Sequence, residues 1–341
     1  MRKIGVIGAG SWGTALSEVL ATNGHQVTLW SIMAQEIEML REKREHTIKL
    51  PGVRLDDSIL LTTDLQEAVR GMDLLVLAVP SIYTRSTAAL MGQFVSDGQI
   101  IVSVAKGIEE KTLMTLAEII EDEIPNADAA VLCGPSHAEE VGAKLPTTVV
   151  AGAKTQQSAE LIQSVFMNEY FRVYTSPDII GMELGGALKN VIALAAGMAD
   201  GLGFGDNTKA ALITRGIAEI RRLAIEMGAK AETLNGLTGI GDLIVTCASK
   251  HSRNRKAGFL IGKGYSMQEA MDEVQMVVEG VYSAKAAIAL GKKYHVSLPI
   301  IEQVNEVLFE NKPAREAVTD LMIRDRKVED KIHQWDDTSC D

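Results

Sequence analysis

An apolar helical run seldom carries a lysine in its middle. The segment Gly185-Gly186-Ala187-Leu188-Lys189-Asn190-Val191-Ile192-Ala193 does, with Gly185 and Gly186 one turn before Lys189 and Ala193 one turn after it. An ammonium in such a setting can hand a proton to an oxygen that gains charge during a reaction. Two glycines inside a helix cost about 1 kcal/mol each relative to alanine, so the pattern implies a packing or functional need. The small residues predict a trough through which a ligand reaches the amine. Asn190 is a second polar group for that site or a surface residue. A lysine snorkelling to solvent is the competing reading, and apolar neighbours on every side argue against it.

Thr238-Gly239-Ile240-Gly241-Asp242 reads as a loop ending at a helix N-cap, with Thr246 four residues on and on the same face as Asp242. Ser249-Lys250-His251-Ser252-Arg253-Asn254-Arg255-Lys256 then sets four cations within seven positions at the start of another helix. Cations, hydroxyls and a helix N-terminus make an anion site, and arginine suits phosphate, although such clusters are commonly solvated charge runs. Lys106 follows the strand that ends at Val104, and Cys133-Gly134-Pro135-Ser136-His137 ends the next one. Ligands of open parallel sheets bind beyond these C-terminal strand ends. His137 is a candidate base, but a helical pattern follows it and a lining or capping role suffices.

The remaining chemistry is at the N-terminus. Strand 3–7 runs into Gly8-Ala9-Gly10-Ser11-Trp12-Gly13, which opens a helix within a strand–helix–strand unit ending at Trp30. In that context the glycine spacing predicts a dinucleotide site: Gly8 for the turn, Gly10 for approach of a pyrophosphate, Gly13 for helix packing. The acidic residue that usually follows the second strand is missing, since Ser31-Ile32-Met33 stands there. No dedicated group reads the ribose 2′ position, so both NAD and NADP are expected to bind with weak discrimination. Arg41, Lys43, Arg44, Lys49 and Arg253 tilt the expectation toward NADP.

The elements that must position these residues divide the chain. Candidate strands at 3–7, 26–30, 58–62, 74–79, 100–104, 129–133, 147–152 and 171–174 alternate with helical stretches such as 12–22 and 112–122. After Pro177 the pattern is helical, at 179–200, 208–227, 254–262, 267–273, 280–294 and 299–310. The expected fold is α/β: a Rossmann-like parallel-sheet domain over 1–182, an all-α domain over 183–324, and a frayed polar tail over 325–341. The 341 residues suffice for two cores, and 46% hydrophobic with 23% charged residues is an ordinary globular mix. A net charge of −11 argues against nucleic acid as partner, while leaving room for a small anion at a local basic cluster. Cys133, Cys247 and Cys340 show no metal-ligand or pairing pattern and are expected as free thiols. Nothing at the N-terminus reads as a signal peptide and the apolar stretches are interrupted, so a cytoplasmic protein away from membranes is expected.

Together these motifs resemble the bacterial NAD(P)-dependent glycerol-3-phosphate dehydrogenase family, from Gly8 to about residue 320. The most specific matches are GGALKNVIALAAGMADGL at 185–202, GDNTKAALITRG at 205–216 and TGIGDLIVTCASKHSRN at 238–254, with VAKGIE at 104–109 and CGPSHAEEV at 133–141. The resemblance implies reduction of dihydroxyacetone phosphate to glycerol 3-phosphate for membrane phospholipids. It implies Lys189 as proton donor and acceptor, Lys106 at substrate and nicotinamide, and Asp242 on the substrate or orienting Lys189. It further implies Gly134 and Ser136 at the substrate, Ser252, Arg253 and Asn254 at its phosphate, and Ala138 near the cofactor. Arg253, Val277 and Glu279 would reach the dinucleotide, with Ser11 and Trp12 holding it at the glycine turn. Similar proteins often carry a basic residue just after the second strand and an aromatic before Leu-Pro-Gly; this chain has Ser31-Ile32-Met33 and Lys49, both adjoining the cofactor in the family. A homodimer is the expected assembly. The alternatives are another two-domain dehydrogenase, acting on a hydroxy acid or a phosphogluconate, and a dinucleotide sensor without chemistry. The basic cluster at 250–256 and Lys189 argue against them.

Overall fold

The computed structural model describes residues 1–326 together with Val328 and Glu329; the expected tail lies almost wholly outside these residues, as does Cys340. Ten strands are described: β1 (Lys3–Ile7), β2 (Gln26–Trp30), β3 (Glu45–His46), β4 (Leu50–Arg54), β5 (Leu60–Thr62), β6 (Leu74–Leu77), β7 (Ile100–Ser103), β8 (Asp128–Cys133), β9 (Thr147–Gly152) and β10 (Phe171–Ser176). Eight form one sheet in the order β10-β9-β8-β7-β6-β1-β2-β5, and β3 and β4 make a separate hairpin. Strand β6, apolar throughout, is buried along its length between β1 and β7, as expected of a strand covered on both faces.

The sheet is parallel from β5 through β8 and then reverses. Val131, Leu132 and Cys133 of β8 pair antiparallel with Gly152, Ala151 and Val150 of β9, and β10 runs parallel to β9. The helix between β8 and β9, Ala138–Gly142, has five residues. It rises only about 7.5 Å, whereas a six-residue strand is about 20 Å long. The chain therefore returns along the edge of β8 instead of crossing over a face of the sheet.

Local chemistry trims several expected elements. The strand expected at 58–62 begins at Leu60, because Ser58 N–H and Oγ both donate to Asp56 Oδ1 and hold a turn. The helix expected at 112–122 begins at Leu116: Thr115 and Glu118 form a reciprocal capping box, and Leu113 has φ 64° just before it. Periodicity did not single out the helix Ala314–Met322 or the β3–β4 hairpin.

From Ile179 onward every described element is helical. Asp178 caps the long helix Ile179–Gly201 by accepting from Gly181 N–H at 3.1 Å. A division at 182/183 falls within its first turn. By length and composition this helix is apolar enough to cross a membrane, which the sequence reading had not anticipated. Nearly all of it is buried as the core of the helical half. It packs backbone to backbone against Arg253–Gly262. A Cβ at Gly197 or Gly201 would overlap the carbonyl oxygen of Arg255 or Phe259, and one at Gly258 or Gly262 would overlap that of Leu194 or Met198. Two reciprocal pairs of glycines four residues apart thus hold the basic helix against the helix of Lys189.

Candidate active site

Strand ends bring the first residues in. Lys106 lies just beyond β7 and Gly134 just beyond β8, where Gly134 has φ +147° and turns the chain away from the sheet. Lys106 Nζ donates to Gly134 O at 2.9 Å, and Ser136 Oγ donates to the same carbonyl at 2.9 Å. The helical half supplies Lys189 and Asp242. Lys189 Nζ donates to Asp242 Oδ1 at 2.5 Å and to Thr246 Oγ1 at 2.6 Å. Lys106 Nζ donates to the other oxygen, Asp242 Oδ2, at 2.7 Å. One carboxylate therefore joins two ammonium groups from the two halves of the molecule.

Asp242 does not cap its helix, contrary to the sequence expectation. Residues Leu237–Gly241 form a π-helical turn running directly into the helix Asp242–Ala248, so Asp242 is already helical and its side chain is free for the lysines. The glycines beside Lys189 also differ from expectation. A Cβ at Gly185 would meet Thr238 O at 2.6 Å, and one at Gly186 would meet Cys133 Sγ at 2.9 Å and Lys106 Cγ at 3.4 Å. They leave no trough for a ligand; they let the π turn and the Lys106 stem approach the helix.

The cluster is buried, Lys189 to 4% exposure and Asp242 to 1%, while the Lys106 side chain keeps 18%. Burial drives the Lys189 pKa down to about 8, with Lys106 adding to the fall and Asp242 opposing it. Burial also works against charge on Lys106 and Asp242, but their mutual attraction outweighs it. Lys106 is held above its ordinary value and Asp242 below its own. Two cations and one anion leave a net positive charge, suited to oxygen that becomes anionic.

The phosphate candidates sit on the neighbouring helix. Ser252 caps it, its Oγ accepting from Arg255 N–H at 3.2 Å. Asn254 is buried and its carboxamide is engaged: Nδ2 donates to Asn190 Oδ1 at 3.0 Å and Oδ1 accepts from Gly280 N–H at 2.8 Å. Asn190 is thus not a surface residue; it is buried beside Lys189 and ties two helices together. Arg253 is exposed at the helix start, and Arg255 is drawn away to Asp200 at 2.6 Å. His137 lies at the start of Ala138–Gly142 without capping it through its side chain; its ring is 5.9 Å from that of His251, and burial lowers its pKa.

At the glycine turn, Gly8 has φ +119°, and a Cβ there would lie 2.8 Å from Ala78 O. At Gly13 a Cβ would overlap Gly8 O, whereas Gly10 has nothing within 4 Å of where a Cβ would stand. The helix Ser11–Thr22 starts at Gly10 without a side-chain cap, so its first N–H groups are free for a phosphate. Ser11 and Trp12 are partly exposed beside them, and Ala138 opens a short helix beyond β8. Glu279 crosses between halves, accepting from Ser81 N–H at 3.0 Å and from Ser81 Oγ, with the partly exposed Val277 just before it. Lys49 pairs with Glu36, a residue that the sequence reading missed because it lies on a helix rather than at the strand end.

Comparison with known proteins agrees with this arrangement. The family model for the NAD-dependent glycerol-3-phosphate dehydrogenase N-terminus matches residues 3–159, and that for the C-terminus matches 178–319. A protein of Agathobacter rectalis named glycerol-3-phosphate dehydrogenase [NAD(P)+] is 72% identical, over 98% of this chain and 100% of its own length. One of the same name from Fusobacterium nucleatum is 58% identical, again over 98% of this chain and 100% of its own. The crystal structure of glycerol-3-phosphate dehydrogenase from Coxiella burnetii superposes with a TM-score of 0.92 at 36% identity, covering 95% of this chain and 99% of that one. With both halves matched and relatives aligned end to end, the chain belongs to the NAD-dependent glycerol-3-phosphate dehydrogenase family.

Proposed function

We propose that this chain catalyses reversible hydride transfer between NAD(P)H and dihydroxyacetone phosphate, forming sn-glycerol 3-phosphate for glycerophospholipid synthesis. The observation that carries this reading is the buried Lys106–Asp242–Lys189 cluster at the C-terminal edge of a dinucleotide-type sheet. NAD(P)H, when bound, supplies the hydride to the substrate's carbonyl carbon. Lys189 Nζ gives its proton to the carbonyl oxygen and takes it back in the reverse direction. Asp242 and Thr246 hold that amine in place, and Lys106 adds positive charge beside the oxygen. Gly134 and Ser136 line the substrate, and Ser252, Arg253 and Asn254 meet its phosphate, with the Ser252 cap and the Asn254–Gly280 bond fixing the helix end that presents them.

Gly8, Gly10, Ser11, Trp12 and Gly13 hold the pyrophosphate, while Lys49, Lys106, Ala138, Arg253, Val277 and Glu279 line the rest of the cofactor's course. In this reading residues 1–182 carry the cofactor and 183–324 the substrate. The protein works in the cytoplasm, as a homodimer.

The test is turnover of dihydroxyacetone phosphate with NADH and NADPH by the purified protein, followed by absorbance, beside an Arg253→Ala variant. Truncating one partner of a charge-assisted pair costs on the order of 2–5 kcal/mol when the pair is buried, as Arg253 and the phosphate would be in the closed complex. The variant should therefore lose most of its preference for the phosphorylated ketone over dihydroxyacetone. An unchanged preference removes Arg253 from the phosphate site. Equal turnover of phosphate-free ketones by the unaltered protein returns the hydroxy-acid reading.

A further inference from the structure

The three positions after β2 carry no charge, yet the folded chain brings a carboxylate to them. The helix Ala34–Lys43 turns back so that Glu36 Oε2 accepts from Ser31 Oγ at 2.7 Å. Ser31 is itself fixed: its Oγ accepts from Met33 N–H at 3.1 Å, and its N–H donates at 3.2 Å to the carbonyl of Thr62, the last residue of the edge strand β5. The other carboxylate oxygen of Glu36 meets Lys49 Nζ and stands 3.7 Å from His46 Nε2. Burial opposes charge on Glu36, but His46, Lys49 and Ser31 together hold its carboxyl down at about 2, so it is ionised at neutral pH.

Of the cations that favoured NADP by their number, Arg41, Arg44 and Lys49 are committed elsewhere. Arg41 Nη2 donates to Leu61 O at 2.7 Å. Arg44 donates to Ile59 O and Asp57 O, each at 3.0 Å. Lys49 is paired with Glu36 itself. Lys43 is exposed at the last turn of the helix, away from its start beside Ser31. Ile32 and Met33, 71% and 53% exposed, add an apolar surface at the same strand end.

The end of the second strand in such a fold faces the adenosine ribose. A carboxylate there accepts from the 2′-hydroxyl of NAD and repels the 2′-phosphate of NADP. We propose that Glu36, held in place by Ser31 and Lys49, is the residue that sets cofactor specificity and turns this chain toward NAD(H) and against NADP(H). This rests on the reading that the dinucleotide occupies the Gly8–Gly13 turn, and it reverses the preference that the count of cations implied.

The test is equilibrium binding of NADH and of NADPH to the full-length protein, read by cofactor fluorescence without substrate, for the unaltered chain and for Glu36→Gln and Lys49→Ala. The unaltered protein should bind NADH at least about tenfold more tightly than NADPH. Glu36→Gln should narrow that ratio mainly by tightening NADPH, because the amide still contacts the ribose but no longer repels phosphate. Lys49→Ala, which removes the counter-ion and leaves Glu36, should widen it. A wild-type preference for NADPH, or a ratio unmoved by Glu36→Gln at unchanged melting temperature, overturns the proposal. So does a loss of NADPH binding when Lys49→Ala is added to Glu36→Gln, where no carboxylate remains to repel the phosphate, which would make Lys49 the phosphate ligand. Binding of neither cofactor would overturn the dinucleotide reading as well, whereas tight, indifferent binding of both defeats only the role of Glu36.

Discussion

In the proposed reaction Lys189 is the proton donor, and burial, Lys106 and Asp242 together set its strength. Burial takes its pKa to about 8, close to the pH at which it must both give and accept a proton. Reduction needs the ammonium, so kcat/KM for ketone reduction should be level below pH 8 and fall above it. Oxidation of glycerol 3-phosphate needs the amine and should rise through the same range. Lys189→Ala should lower kcat by ~10²–10⁴-fold and remove this pH limb while leaving NADH affinity nearly intact. Wild-type turnover, or an unshifted limb in that variant, would take the proton away from Lys189. Asp242 is the reason the amine stays charged at neutral pH, since it counters both burial and Lys106.

Among elements, the pairing of Ile179–Gly201 with Arg253–Gly262 matters most, because it sets the distance from Lys189 to the basic helix. Four glycines allow the two backbones to touch, and Asn254 then reaches Asn190, the residue next to Lys189. Gly258→Ala inserts a methyl group into the Leu194 carbonyl. Overpacking of this kind costs about 1–3 kcal/mol, against a gain of only about 1 kcal/mol in helix propensity. The variant should melt several degrees lower and lose activity on the phosphorylated substrate, measured by calorimetry and by turnover. A melting temperature at or above that of the unaltered protein would mean that the helices have room to spare.

Across the whole molecule, buried carboxylates tie distant elements together. Glu183 of the long helix accepts from Ala117 N–H at 2.9 Å, at the start of a helix in the sheet domain. Glu219 accepts from Ile300 N–H at 2.9 Å at the start of another helix. Burial pushes both carboxyls up to about 7. A folded-state pKa above the unfolded value gives stability that is full below about pH 4.5 and lost as pH rises through about 7. Between pH 5 and 7.5 the unaltered protein should therefore lose melting temperature, and a Glu183→Gln, Glu219→Gln double variant should lose less. Parallel curves for the two proteins would show that neither carboxyl holds a proton in the fold.

Some of this protein is written locally in its chain and some is not. The glycine turn at Gly8–Gly13, the strands of the sheet and the helical character after Pro177 follow from signals only a few residues long: turn geometry, apolar runs and periodicity. These act through backbone sterics and burial, which a short segment already feels. Lys189, Lys106 and Asp242 were visible one by one: Lys189 as a charge inside an apolar helix, Lys106 as a cation at a C-terminal strand end, Asp242 as an acid after a glycine-rich turn. That they form one cluster was settled by packing alone, because Asp242 is 53 residues from Lys189 and 136 from Lys106. The same holds for Asn254, whose carboxamide joins Asn190 to Gly280 across the helical half. It holds also for Glu36, which fills a position that the strand end leaves empty by arriving from the next helix. Hydrogen bonds and ion pairs depend on distances of a few ångströms, and only the folded backbone decides which distant side chains come that close.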